Sequence, residues 1–526
     1  MYLRRFAALL VLFALGGTTQ GAPAEAKGRG ITEAVRTPAL PGPSTRIAPA
    51  PARARTAAIA AWPERIEARL AEIDADASSQ DPRAPVLPDA SAALQLEVAT
   101  LLAELGARTE VALHVRALGN GAALADRDGD RLLNPASNHK LLTAIAALEL
   151  LGPDYRFVTR VLVDGDALVV VGEGDPSLQP EDLSRLAERV RAGIDLSKIR
   201  RIVIDDGMFS ADRFGPGYDP QGPGFSYMAP SGALSLQWNT VQISVEPARR
   251  GEPVAVFVDP PCSHVRVVNE GTTGRGAPLT IETTQDGDDT VVHVRGALSS
   301  RARVQTIRRR VQDPGRFTAS VLAARLADEL ADVPLTRGRA SSSARPVAEH
   351  FSAPLAQLLD SALKFSNNFT TEQLLRTIAY RMNGTPGDWH AGALALRRFW
   401  RALGKRDAEL VFENASGYSR SGRLSARALV DLLVWSQRPG SRSHAVLAAL
   451  PVSGVDGTLR DRLLDTGGRV LAKTGTLEGA SALSGVVVDE TGVPRIAFSL
   501  LLNGRITGHD AHALQDRLVR LLLAHA

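Results

Sequence analysis

The chain has 526 residues, 44% of them hydrophobic and 22% charged, with a formal net charge of +4. That length exceeds what one compact core organises, so two or more units are expected, and the apolar share excludes a chain that is disordered throughout. With so small a net charge and no Lys/Arg block interleaved with aromatics, there is no ground for nucleic-acid binding.

At the start, Arg4 and Arg5 precede the apolar run 6–15, and small residues follow at Thr18, Gly21, Ala22 and Ala24. This order predicts a secretory leader over residues 1–24, with an apolar part too short to span a bilayer, and hence a periplasmic or otherwise exported protein. Residues 25–90 read as a Pro/Ala/Arg-rich linker. Within it Trp62, Ile66, Leu70 and Ile73 recur at helical spacing behind Pro63, which predicts one short amphipathic helix. No later stretch has the length of a membrane helix, and the single cysteine, Cys262, excludes an intramolecular disulfide.

A helix is expected over 94–105, then two short strands over 109–116 and 122–126 joined by the Gly119-Asn120-Gly121 turn. Residues 141–151 are apolar on nearly every side, Thr143 and Glu149 excepted, which predicts a buried helix ended by Gly152-Pro153. The middle, 172–345, is rich in strand-like runs separated by Gly and Pro clusters, with one helix near 317–330. Helical patterns return from Leu355, followed by strand-like runs at 469–476, 482–488 and 495–502 and a terminal helix carrying Leu514, Leu518, Leu521 and Leu522 on one face. Strands near both ends of the chain fit one sheet closed by distant segments. The expected fold is therefore α/β: a sandwich of helices on a sheet formed by residues 91–171 and 346–526, interrupted by a β-rich insertion at 172–345.

Three short motifs carry chemistry: Ser137-Asn138-His139-Lys140 at the start of the buried helix, Ser366-Asn367-Asn368 at the join of two helical segments, and Lys473-Thr474-Gly475 in a strand run. At a helix start, residues three apart share a face, so the Lys140 amine can reach the Ser137 hydroxyl. A serine hydroxyl needs a base, and a lysine serves as one when its pKa falls from about 10.4 toward ~7–8, a shift of about 4 kcal/mol. The apolar helix supplies the burial and Lys473 a cationic neighbour. Each motif is weak alone; their order and context together are specific.

From about Leu94 onward the chain resembles the class C low-molecular-mass penicillin-binding proteins, which are D-Ala-D-Ala carboxypeptidases and endopeptidases. The resemblance rests on residues 135–140, Gly-Asp-Pro-Ser-Leu at 174–178, Ser-Asn-Asn at 366–368, Ser-Gly-Tyr-Ser-Arg at 416–420, Leu-Pro-Val-Ser-Gly-Val-Asp-Gly-Thr-Leu at 450–459 and Lys-Thr-Gly-Thr-Leu at 473–477. It implies a penicillin-binding-protein/β-lactamase-like α/β sandwich, its antiparallel sheet flanked by helices, and a long insertion between the first two catalytic motifs. It also implies roles. Ser137 would be the acylated nucleophile, Lys140 the general base, Ser366 and Asn368 the proton relay and amide orienters, and Lys473 the charge balance. Thr474 and Thr476 would meet the substrate carboxylate, the backbone N–H groups of Ser137 and Thr476 would form the oxyanion hole, and Gly475 would leave the strand edge open. Asn367 stands where the family often has Asp. The implied partners are peptidoglycan stem peptides, with β-lactams as covalent inhibitors, and neither cofactor nor metal is required.

Other signals carry less. Residues 168–174 lack the third glycine of a dinucleotide-binding turn, His509 and His512 have no third ligand cluster, and His139 reads as a packing or entrance residue. The alternatives are a β-lactamase on the same fold, although the Glu-x-x-Leu-Asn deacylating motif is absent, and a catalytically silent wall-binding protein.

Overall fold

The computed structural model describes residues 61–78, 90–106, 108–326, 330 and 333–526. The leader expected at 1–24 lies outside the described residues, as does the linker at 25–90, apart from its helix and the first residue of the next one. That helix is α1 (Trp62–Ser78), which buries Ile66, Leu70 and Ile73 at the spacing of one amphipathic face. Among the described residues no helix is long and apolar enough to cross a membrane.

After α2 (Ala90–Leu102), strands β1 (Thr109–Ala117) and β2 (Ala123–Arg127) begin the main sheet. It is completed from the far end of the chain by β14 (Val470–Leu477), β15 (Ala480–Val488) and β16 (Pro494–Gly504), in the antiparallel order β14-β15-β16-β1-β2. Period-two alternation assigns its faces. Ala482, Val486, Ala497 and Leu501 point into a core shared with α1 and with α3 (Lys140–Leu151), α6 (Leu355–Leu363), α7 (Asn368–Asn383), α8 (Trp389–Ala402) and α9 (Ala426–Ser436). Leu483, Val487, Phe498 and Leu500 point the other way, against Leu94 and Val98 of α2 and Leu514 and Leu518 of α10 (Gly508–Leu523). All twelve residues of α3 are buried, as an all-round apolar helix requires.

The middle of the chain builds three further sheets. A mixed five-stranded one has the order β12-β5-β4-β3-β13, from β3 (Val158–Asp164), β4 (Ala167–Gly172), β5 (Arg201–Asp205), β12 (Leu335–Arg337) and β13 (Arg345–Phe351). Two three-stranded sheets use β6 (Thr240–Glu246), β7 (Ala255–Asp259), β8 (Val265–Thr273), β9 (Thr280–Asp286), β10 (Asp289–Leu298) and β11 (Gln305–Arg310). Helices α4 (Pro180–Gly193) and α5 (Pro314–Arg325) pack with them in one core of their own. Residues 158–171, expected to belong to the sandwich, form β3 and most of β4, which hydrogen-bond to β13 and β5. Sheet pairing thus draws the edge of this region before Val158 and after Phe351 rather than at 172 and 345. The near-continuous apolar run at 167–171 is what a central strand needs, but nothing in it names the partner sheet.

Helix α1 does more than cover an apolar surface. Glu149 near the end of α3 is fully buried, and Arg69 of α1 donates to it at 2.5 Å. Trp435, Ser441 and Ser443 donate to the same carboxylate. Burial alone would push the Glu149 carboxyl up; the Arg69 guanidinium and the two hydroxyls outweigh it and hold the group below the ordinary glutamate range. Such a carboxylate stabilises the fold above its unfolded-state pKa and loses that contribution as pH falls. Arg69→Met should therefore destabilise the protein by about 3 kcal/mol at neutral pH, because it leaves a buried charge uncompensated. In chemical denaturation the deficit should shrink as the pH is lowered toward the carboxylate range.

Candidate active site

The first motif sits where the chain turns from the main sheet into the helical layer. Residues Ala136–His139 form a 3-10 turn that runs directly into α3. Ala136 has φ +46°, a left-handed conformation that costs about 1–2 kcal/mol for a residue with a Cβ. The turn leaves Ser137 partly exposed while its neighbours Asn138, His139 and Lys140 are buried. The Lys140 amine is 3.1 Å from the Ser137 hydroxyl, and it donates to Asn368 Oδ1 at 2.7 Å and to the Ser416 carbonyl at 2.7 Å. Burial brings Lys140 down to about 7, with the Glu372 carboxylate pulling in the opposite direction.

The second motif lies between α6 and α7. Ser366 has φ +56°, the second left-handed non-glycine residue at the site, and Asn368 opens α7. Asn368 bridges two parts of the molecule: its amide oxygen accepts a hydrogen bond from Lys140 and its amide nitrogen donates to the Tyr227 carbonyl of the middle region at 2.9 Å. Asn367 faces away and caps α7 by accepting from the Thr370 amide, so the residue that differs from the usual Asp acts locally.

The third motif lies on β14, the edge strand. Lys473 is fully buried and donates to Ser366 Oγ at 3.0 Å and to the Thr474 carbonyl at 2.7 Å. Burial first, and the neighbouring Lys140 ammonium second, push Lys473 well below the ordinary lysine range. Thr474 is half-buried and donates to Thr458 Oγ1 at 2.7 Å, while Thr476 is exposed. Residues 451–453 cover the first part of the β14 edge, through Ser453 N–H to the Val470 carbonyl and Ala472 N–H to the Pro451 carbonyl. Beyond them no backbone segment among the described residues pairs with Thr474, Gly475 or Thr476 on that side. Gly475 also has a second reason to lack a side chain. A Cβ there would stand 2.7 Å from the Pro135 carbonyl oxygen and 3.1 Å from Ala136 Cβ. The bare strand lets the nucleophile turn approach it.

Sequence reasoning named the eight candidate residues but missed those that hold them. Glu372, one helical turn after Asn368, accepts from the amides of Ser416 at 2.9 Å and Ala415 at 3.3 Å; its i+4 position was the available signal. Tyr218 and Tyr227 from the middle region meet Tyr418 edge-on and tilted, at 5.9 Å and 5.4 Å between rings. His139 is buried against Phe412 and brought down to about 4 by burial, so it is neutral and serves packing. Lys364 donates to Asp456 at 2.6 Å and ties the 450–459 segment beneath Ser366.

A buried amine against a partly exposed serine, with a second lysine and an amide converging on them, is an arrangement chemically capable of serine acyl transfer, set on a helix-flanked antiparallel sheet. A family profile described as the D-Ala-D-Ala carboxypeptidase 3 (S13) family matches residues 94–525, and the chain belongs to that family. A curated relative, the D-alanyl-D-alanine carboxypeptidase of Actinomadura sp. (strain R39), is 34% identical over 435 residues, 77% of this chain and 80% of that protein. The crystal structure of penicillin binding protein 4 from Haemophilus influenzae superposes with a TM-score of 0.70 at 23% identity, covering 81% of this chain and 99% of that one. The same protein complexed with a novel β-lactam gives 0.65 at 22% identity, covering 81% and 99%. The penicillin-binding-protein fold expected from the motifs is thus the one present.

Gly475→Ala should force β14 away from the Pro135–Ala136 turn, lowering stability by ~1–3 kcal/mol. Acylation at Ser137 should slow by about 10²-fold, since displacement of reacting groups by about 1 Å has that effect. Stopped-flow labelling with a fluorescent penicillin, beside thermal melting, measures both.

Proposed function

We propose that this chain cleaves the terminal D-alanyl-D-alanine bond of peptidoglycan stem peptides through an acyl-enzyme on Ser137. The observation that carries the proposal is the buried Lys140 nitrogen, 3.1 Å from the Ser137 hydroxyl and poised near neutrality at about 7. A base with a pKa near the working pH both exists in its free form and accepts a proton with useful driving force. Family membership and the convergence of all three motifs support the same reading.

Neutral Lys140 takes the Ser137 proton as the hydroxyl oxygen attacks the penultimate D-alanine carbonyl. The carbonyl oxygen becomes an oxyanion facing the backbone N–H groups of Ser137 and Thr476. Collapse expels the terminal D-alanine amine, which takes up the proton Lys140 had received, relayed through Ser366 with Lys473 unchanged at the end, so that Lys140 is again a free amine. Water, deprotonated by Lys140, then hydrolyses the ester and restores Ser137. The substrate's terminal carboxylate lies by Thr474 and Thr476, next to Lys473. Its negative charge favours an ammonium on Lys473 and so leaves Lys140 as the free base. The same steps cleave a crosslink when the leaving amine belongs to a second stem peptide. Asn368 orients the substrate amide, and the middle region frames the cleft with Tyr227. A β-lactam acylates Ser137 in the same way and inhibits covalently. The charged, apolar, small-residue order of residues 1–24 supports export to the compartment where the wall lies.

Incubation of the mature protein with a fluorescent penicillin, beside Ser137→Ala and Lys140→Ala, tests the proposal. Wild type should label stably and Ser137→Ala not at all. Lys140→Ala should label about 10²–10⁴-fold more slowly with an unshifted melting temperature. Wild-type acylation should rise with pH through about 7, because only deprotonated Lys140 is a base. Rapid turnover of the drug would replace the peptidase reading by a β-lactamase, and absence of labelling would leave a silent wall-binding protein.

A further inference from the structure

The site holds one buried carboxylate that the mechanism above does not use. Glu372 lies on α7 one turn beyond Asn368, so both side chains point toward Lys140. It is 2% exposed, and its two oxygens accept from the amides of Ser416 and Ala415. The carbonyl of the same Ser416 accepts from Lys140 at 2.7 Å. The carbonyl of Ala415 accepts from Thr143 of α3 at 2.9 Å, so the segment is gripped from α7 on its N–H side and from α3 on its carbonyl side. The Tyr218 hydroxyl lies 3.3 Å from Ser416 Oγ and beside the carboxylate.

We infer that Glu372 is a positioning residue for the general base: it fixes the Ser416 carbonyl that aims Lys140 at Ser137, and its charge sets the pH at which Lys140 becomes free. This rests on the assignment of Lys140 as the base. The charged and titratable groups around the pair come from every element that packs on it. Lys473 faces Lys140 from β14, His139 adjoins it on the 3-10 turn and is neutral, Tyr218 lies against Glu372 with Tyr418 beside it, and Arg376 follows on α7. Arg376 donates to the carbonyls of Gly387, Ser231 and Ser210, and its cation also feels the Glu372 charge from the same helix. Glu372 is the carboxylate that offsets the burial of Lys140. Burial pushes Glu372 itself up, and the Ser416 and Ala415 donors, followed by Lys140, draw it back toward the ionised form.

The sign of the effect is fixed. An adjacent anion favours the ammonium, so it raises the pH at which Lys140 loses its proton. Removing that anion lowers the pH. In Glu372→Gln the acid limb of the acylation rate should therefore move down by about one pH unit, while the plateau falls because an amide cannot accept from both backbone N–H groups. Glu372→Asp keeps the charge but withdraws it by one methylene, so its limb should move the same way by less, with more of the plateau retained. The measurement is the second-order rate of labelling by a fluorescent penicillin between pH 5.5 and 9, with melting temperatures recorded in parallel. A limb that stays at the wild-type pH in Glu372→Gln, with only the plateau lowered, overturns the inference and leaves a structural carboxylate. Should Glu372→Gln not fold, an unmoved limb in Glu372→Asp does the same. Failure of the underlying reading is distinct, since wild type itself would then show no labelling or no acid limb near 7.

Discussion

Everything at this site follows from placing the amine of Lys140 where water cannot reach it. An ammonium taken out of water is disfavoured by several kcal/mol unless neighbours replace its hydration shell. Here the replacement is deliberately incomplete. Three oxygens surround the nitrogen, from Ser137, Asn368 and Ser416, and two of the three are neutral carbonyl-type acceptors. They come from segments that begin at residues 137, 368 and 416, so the site exists only when the main sheet closes and the helices pack on it. The same closure explains why β14 must pass within contact distance of the nucleophile turn, and why the residue at that contact is Gly475.

The other end of the nucleophile helix obeys the opposite rule. Glu149 is as deeply buried as Lys140, but it is fully compensated by Arg69, Trp435 and two serines and stays ionised. One end of α3 thus carries a charge left short of partners, which becomes reactive, and the other a charge supplied with partners, which becomes an anchor. The anchor's cation comes from α1, which lies before the span matched by the family profile yet packs into the same core as α3. Its ring contact, Trp62 against Tyr155 at 5.6 Å, and the Arg381 guanidinium over Trp62 join it to the structure around the second motif's helix.

Much of this was legible in the residues. Ser137 and Lys140 were readable because a three-residue step on a helix start fixes a shared face, and the all-apolar run behind them announced burial. Ser366, Asn368 and Lys473 were readable only through order and context, since nothing local says that residues so far apart meet. Glu372 was not read although it carried a usable sign, one turn from Asn368. Tyr218 and Tyr227 carried none, for their contacts depend on how the middle region docks. The division of sheets was legible in kind but not in extent. The apolar run of β4 is that of a central strand, and such a run does not identify the edge to which it adds.

The charge inventory ties these pieces together. In the resting site two lysines and one carboxylate are buried within reach of one another, and burial opposes each charge. Burial lowers both amines, Lys140 to about 7, and the repulsion of the Lys140 ammonium lowers Lys473 further. In the proposed mechanism a substrate that ends in a carboxylate brings an anion to the Lys473 side. The site then holds an ammonium on Lys473 and a free amine on Lys140, the distribution that acylation of Ser137 requires. In that mechanism, recognition of a terminal carboxylate and activation of the base are the same electrostatic event. A ligand without the carboxylate would lack the proposed contacts with Thr474 and Thr476, and with them the proposed drive that leaves Lys140 unprotonated.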